Sequence, residues 1–326
     1  AAIQGQTNVL FIVLTMIVLV AAFNIVSSLV MQVRTKTAEN VLPLARCFAR
    51  TLQIPVELLG VVDLAEIGRH LAADQASMIR TLLDDTTRRF GDYLERVAKN
   101  FPVGQVQCLV RHGNAAKAII EAAAADKQTL IAMATHGRSG LDRWLLGSVA
   151  EKVLRAAANP TLAVRAKEEK NPNWGIATLK RILVPLDGSE LSERILPYVE
   201  GLAKNHDLEV NLIGVYGGPL VAGGTGDGLY SSGQINSLIT TIRAETVAYL
   251  AMKTDELKQK DLKKVAFSAK EGLAADEIIT TAQEIPDTLI AMCTHGRSGV
   301  QRWMLGSVTE TVVRHSDVPV LVVRGT

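Results

Sequence analysis

The sequence predicts an α/β fold built twice, with two parallel sheets each covered by helices on both faces. Three observations predict it. Residues 133–148, MATHGRSGLDRWLLGS, return as residues 292–307, MCTHGRSGVQRWMLGS. His136 pairs with His295, Gly147 with Gly306 and Pro160 with Pro319, each at an offset of 159 (295 − 136, 306 − 147, 319 − 160), so an internal repeat sets the architecture. Short apolar runs alternate with helix-like runs, the pattern of strands joined by crossover helices. Finally, 326 residues allow two such units, at roughly 150 residues each.

Composition narrows the function. A formal net charge of +2 and 4% aromatic residues supply neither a basic surface nor a base-stacking platform, so nucleic acid is not an expected partner. Cys47, Cys108 and Cys293 are an odd set without close spacing. A disulfide framework or zinc site is not expected, and a reducing compartment fits.

Residues 1–33 carry no charge, and 9–31 read VLFIVLTMIVLVAAFNIVSSLVM. As a helix these 23 residues would extend about 34 Å, enough to cross a bilayer. Arg34 and Lys36 follow, which would leave the rest of the chain cytoplasmic, tethered at that face of the membrane. A signal peptide fits less well, for want of a basic start. The other reading is a buried helix or strand. The run FIVLTMIVLVAAFNIVSSLVM also resembles a transmembrane segment of the lipoprotein-releasing permease family.

From Thr37 the pattern changes. TAENVLPLARCFARTL has helical spacing, PVELLGVVD reads as a buried strand, and residues 70–99 as a long charged helix. Strand QVQCLV, helix NAAKAIIEAAAAD, strand TLIAMA, the repeated loop, helix SVAEKVLRAA and strand PTLAVR follow. Residues 166–179, polar with Pro and Gly, read as a linker. The domains expected are therefore 37–165 and 180–326, with 1–36 as a hydrophobic lead.

The second half repeats the order more completely. RILVPLDGS is a buried strand ending in Asp-Gly, LSERILPYVEGLAKNH a helix and LEVNLIGVY a strand. A glycine-rich loop precedes a long helix at 234–260, and KKVAFSAK, AADEIITTAQE, TLIAMC, the loop, SVTETVVRH and VPVLVVR complete the unit. Early in the halves the offset is 154 (197 − 43, 214 − 60), so five extra residues are expected in the glycine-rich loop. Carried backwards, 154 sets Asp187 opposite Val33 and Ser189 opposite Thr35. The first half thus lacks the acid, and its first strand would have to come from SSLVMQV, the tail of the candidate membrane helix.

The repeated loop has the composition of a phosphate cradle. It leaves the carboxyl end of a strand, where open α/β sheets place ligands. Gly137 and Gly296 permit close backbone approach. Gly147-Ser148 and Gly306-Ser307 stand at helix starts, where free N–H groups favour an anion. Arg138 and Arg297 add donors, and Asp187 lies in reach of a ribose or a metal ion. Plainer roles stand beside these. Ser148-Val-Ala-Glu151 and Ser307-Val-Thr-Glu310 read as capping boxes. His136 and His295 read as loop hydrogen-bonders, Trp144 and Trp303 as packing, Met133 and Met292 as core or adenine pocket, and Cys293 as a small buried filler.

At these residues the chain resembles the universal stress protein family in tandem form. The family signature is Gly, two residues, Gly, nine residues, Gly-Ser/Thr. Here Cys293-Thr-His-Gly296 and Ala134-Thr-His-Gly137 each precede nine residues and then Gly306-Ser307 or Gly147-Ser148. Cysteine and alanine replace the first glycine. The resemblance implies two doubly wound five-stranded parallel-sheet domains, Rossmann-like and similar to the adenine-nucleotide alpha-hydrolases. It implies ATP or AMP, with or without Mg. Asp187, the backbone at Val215 and Met292, and Gly296, Arg297, Gly306, Ser307 and Val308 would hold the ligand. The first-half counterparts would be Val61, Met133, Gly137, Arg138, Gly147, Ser148 and Val149. It also implies that PTLAVR and VPVLVVR pair, making a pseudo-dimer within one chain that is itself open to homodimerisation. The expected activity is nucleotide-dependent regulation in a stress response, without enzymatic turnover. An interaction module without ligand, a slow ATPase and a membrane-tethered sensor are the alternatives.

Overall fold

The computed structural model describes residues 38–52, 54–62, 76–101, 106–126, 128–135, 146–165, 179–217, 232–294 and 305–325. The membrane helix, the permease-like segment and the substitute first strand expected within 1–36 fall outside the described residues. Among the described residues no helix is long and apolar enough to cross a membrane.

In chain order the first half holds α1 (Ala38–Leu52), β1 (Val56–Val62), α2 (Ala76–Ala98), β2 (Val106–His112), α3 (Ala115–Ala123), β3 (Ile131–Ala134), α4 (Ser148–Ala156) and β4 (Thr161–Val164). The second holds β5 (Arg181–Pro185), α5 (Glu190–Glu193), α6 (Leu196–His206), β6 (Glu209–Gly217), α7 (Ser232–Gln259), β7 (Val265–Gly272), α8 (Ala274–Gln283), β8 (Thr288–Thr294), α9 (Ser307–His315) and β9 (Val320–Arg324). The alternation read from the sequence is thus present in both halves.

The second half orders its strands β7-β6-β5-β8-β9, all parallel, which is a doubly wound sheet of five. Its centre is apolar on both faces. Ile182 and Val184 point into one core cluster and Leu183 into the other, and all three are buried. That is why RILVP reads as an unbroken apolar run. In the first half, β1 pairs with β2 and β3 with β4, both parallel, as separate groups among the described strands. The break falls where β5 stands in the second half, between β6 and β8. Residues 27–31, which the 154 offset sets opposite β5, lie outside the described residues.

The halves meet edge to edge. β4 pairs antiparallel with β9, Leu162 opposite Leu321, joining β3 and β4 to the second half in one seven-stranded sheet. The pairing of PTLAVR with VPVLVVR expected from the sequence is therefore present, as a pseudo-dimer of domains within the chain.

Two local differences have physical causes. The helix expected over 191–206 is two helices, α5 and α6, with Arg194 and Ile195 between them. Pro197 has no N–H to donate, and its ring crowds the carbonyl four residues back, that of Glu193. The five extra residues do not all sit in the glycine-rich loop. Gly60 packs against Leu94 of α2 and Gly214 against Leu250 of α7, an offset of 156 (250 − 94), while β2 and β7 begin at an offset of 159 (265 − 106). Three of the residues therefore fall after Leu250.

Those glycines let the long helices approach their strands. A Cβ on Gly214 would lie 2.6 Å from Thr246 Cγ2 and 3.1 Å from Leu250 Cδ1. Gly214→Ala is accordingly expected to destabilise the second domain by about 1–3 kcal/mol. Urea unfolding checks this, as a lower midpoint at unchanged slope.

Candidate functional site

In the second half the chain leaves β5 for β6 on one side and returns as β8 on the other. A doubly wound sheet opens a crevice at such a switch point, beyond the carboxyl ends of the strands. Two described segments border it. One follows β5 and carries Asp187. The other is the start of α9, from Leu305 on. The parallel register sets Leu183 beside Ile290, so Asp187 and Thr294, each four residues on, leave the sheet at the same level.

Leu186 is buried and its N–H donates to Ile213 O at 2.9 Å, which anchors the end of β5. Asp187 is then exposed. Ser189 donates twice to Asp187 Oδ1, from its N–H at 3.0 Å and its Oγ at 2.6 Å. Ser192 Oγ donates to Ser189 O at 2.9 Å and accepts from the Asp187 N–H at 3.4 Å, and the Ser192 N–H donates to Ser189 Oγ at 3.1 Å. Burial alone would raise the Asp187 pKa, but the hydrogen bonds from Ser189 and Ser192 outweigh it and hold the carboxyl below its ordinary value. The group therefore stays a carboxylate, and its stabilising contribution is complete above the ordinary Asp range near pH 4. It is lost as the pH falls through the depressed folded value. Asp187→Asn is expected to remove that part of the acid dependence, read from unfolding midpoints across the acid limb.

On the other side, the chain is stitched to β8 where it returns as Leu305. The Gly306 N–H donates to Thr294 Oγ1 at 3.1 Å, the Gly325 N–H to Thr294 O at 3.0 Å, and Thr309 Oγ1 to Cys293 O at 3.2 Å. Gly306 is the N-cap of α9, extended at φ −57° and ψ 141°, with no side-chain cap bond. Gly147 caps α4 in the same way at φ −60° and ψ 141°, and its N–H donates to Thr135 O at 2.7 Å. This corrects the capping-box reading. Ser148 and Ser307 are the first helical residues rather than the caps. Glu151 pairs instead with Arg155, and Glu310 with Arg314. A glycine cap leaves the first amides of the helix without a side-chain acceptor, and the partial positive charge there faces outward.

The other predicted residues divide. Ser307 and Ser148 are exposed at the helix starts, and Val308, Val149, Val215 and Val61 are half-buried. Met292 is buried in the core between sheet and helices, and Met133, on β3, is partly buried against the same core cluster. Gly137, Arg138, Gly296 and Arg297, with His136, His295, Trp144 and Trp303, lie outside the described residues. Cys293 is half-buried. Burial pushes its thiol up to about 12 against the pull of Arg194, so it carries no reactive thiolate. Among the described residues no group of three His, Cys, Asp or Glu side chains could hold a metal. The sequence reading missed Thr294 and Thr309, which fix the glycine cap, although Thr294 repeats Thr135 at the 159 offset. The first half has Ala150 where Thr309 stands.

The fold matches solved structures over most of its length. A universal stress protein of Archaeoglobus fulgidus superposes with a TM-score of 0.57 at 20% identity, over 87% of this chain and 93% of that one. A protein described as a putative universal stress protein of Pseudomonas aeruginosa gives 0.54 at 18%, over 86% of each. In sequence, a universal stress protein of Methanocaldococcus jannaschii is 31% identical over 145 residues, which is 44% of this chain and 82% of that protein. The universal stress protein YxiE of Bacillus subtilis is 29% identical over 146 residues, 44% of this chain and 98% of its own length. The model of the universal stress protein family matches twice, over residues 29–165 and 178–324. The first match begins inside the apolar run, and the likeness of that run to a permease segment finds no support in the comparisons. Matched in both halves and joined through β4 and β9, the chain belongs to the universal stress protein family as a tandem of two domains.

Proposed function

We propose that this chain binds an adenine nucleotide, ATP or AMP, in the crevice of its second domain, and that it acts by nucleotide-dependent interaction rather than by turnover. One observation carries the reading. An exposed carboxylate held ionised at the end of β5 faces, across the switch point, a helix start capped only by glycine. Both Ser189 bonds fall on Asp187 Oδ1, which leaves Oδ2 to accept from a ribose hydroxyl. The Gly306 N–H is taken by Thr294 Oγ1, and the amides of Ser307 and Val308 that follow at the helix start suit a phosphate. The apolar shoulder of Val215 and Val308 suits a base. The first domain carries the same glycine cap, but the residue opposite Asp187 is Val33. It is read as the weaker site. Isothermal titration of the full chain with ATP tests the reading. Saturable heat is expected, and no heat at millimolar ATP refutes it.

A further inference from the structure

The sequence of α7 includes a lysine where a helix packed on a sheet ordinarily carries an apolar residue. The side chain of Lys253 is only 12% exposed. Its first-half counterpart at the 156 offset is Val97, which is buried. A buried ammonium is costly unless fully paired, so the position calls for a reason. Lys253 Nζ lies 2.9 Å from Glu193 Oε2 and 3.0 Å from Glu256 Oε2. Tyr249, one turn earlier, donates its hydroxyl to Glu193 Oε1 at 2.9 Å. Both oxygens of Glu193 are thus clasped by α7.

Glu193 ends α5, the single-turn helix that continues the Asp187 loop. The neighbouring Ser192 is the residue whose hydroxyl holds Ser189 O and the Asp187 N–H. A four-residue helix has little stability of its own, so what fixes Ser192, and through it Asp187, is the clasp on Glu193. We infer that Glu193, Tyr249 and Lys253 form a positioning clasp that sets the Asp187 carboxylate for a ligand hydroxyl, and so tunes the affinity of the second-domain site from the middle of α7. The inference rests on the nucleotide reading of that site. Among the described residues, the charged and titratable groups around the loop include Glu190, Glu193 and Arg194 from the α5 segment, Tyr249, Lys253 and Glu256 from α7, and Cys293 from β8. Burial and the Glu193 carboxylate raise the Tyr249 hydroxyl well above its ordinary value, so it remains a donor. Burial pulls the Lys253 ammonium down, but Glu193 and Glu256 outweigh it and keep it charged.

Two measurements on the full chain test this, using Tyr249→Phe and Lys253→Met, with Lys253→Arg as the conservative variant. The first is the ATP dissociation constant across pH. Tyr249→Phe and Lys253→Met are expected to weaken binding by about 5- to 20-fold, the scale of one charge-assisted hydrogen bond, with partial recovery in Lys253→Arg. The second is the carboxyl titration of Asp187, followed by NMR without ligand, which is expected to move up toward the ordinary carboxylate value in both variants. An unchanged Asp187 titration overturns the clasp, even where thermal stability falls. ATP binding absent from wild type, with the titration moved as expected, overturns the nucleotide reading and leaves the clasp standing.

Discussion

Leu321→Asp is expected to separate the two domains. Leu321 and Leu162 lie opposite each other where β9 meets β4, 2% and 0% exposed, in the main core. A carboxylate there would be buried without a partner, at a cost of more than about 4 kcal/mol. Calorimetry is expected to show unfolding split, or moved down from the wild type by more than about 8 °C, at roughly 2–4 °C per kcal/mol for domains of this size. Leu162→Ala is the graded version, at about 2–5 kcal/mol. Around this seam the polar contacts are pseudo-symmetric. Arg165, after β4, reaches Asp317 at 3.0 Å and His315 O at 3.4 Å. Arg324, at the end of β9, donates to Arg155 O. Each arginine thus lies at the carboxyl end of the other domain's helix, α9 or α4, where the unpaired carbonyls favour a cation.

Asp187→Ala has the largest effect expected on function. It removes the exposed carboxylate at the end of β5 while leaving the core untouched. Nucleotide binding is expected to weaken by about 10- to 100-fold, the scale of a hydrogen bond to a charged group. The melting temperature at neutral pH is expected to move little, because Asp187 is exposed. A fall in affinity tracked by an equal loss of folded protein would assign Asp187 a structural role instead. Titration calorimetry paired with thermal unfolding on the same samples separates the two.

Much of this was legible in the residues themselves. The 159 offset locates the loop, the strand before it and the helix after it in both halves, because a repeated fold repeats its apolar period. SVTETVVRH, read as a helix over 307–315, is α9 to the residue. What escaped reading was set by contacts distant in the chain. The split of α5 from α6 depends on a proline at a particular place in the turn, and Pro43, its counterpart, sits inside the unbroken α1. The capping boxes failed because four residues of sequence do not say which one leaves the helix, and the glycine does. The clasp joins Glu193 to Tyr249 and Lys253, some sixty residues on in the chain, and no local pattern marks such a pair. The lysine opposite Val97 was its one trace in the sequence.

The second crevice is proposed as the main nucleotide site, with the first as the weaker one. Gly306→Val and Gly147→Val set a side chain at equivalent caps and can be compared directly in the full chain. The measurement is ATP stoichiometry and affinity by titration calorimetry for wild type and both variants. One dominant site is expected, lost in Gly306→Val and kept in Gly147→Val. Binding that survives Gly306→Val and disappears with Gly147→Val would contradict the account.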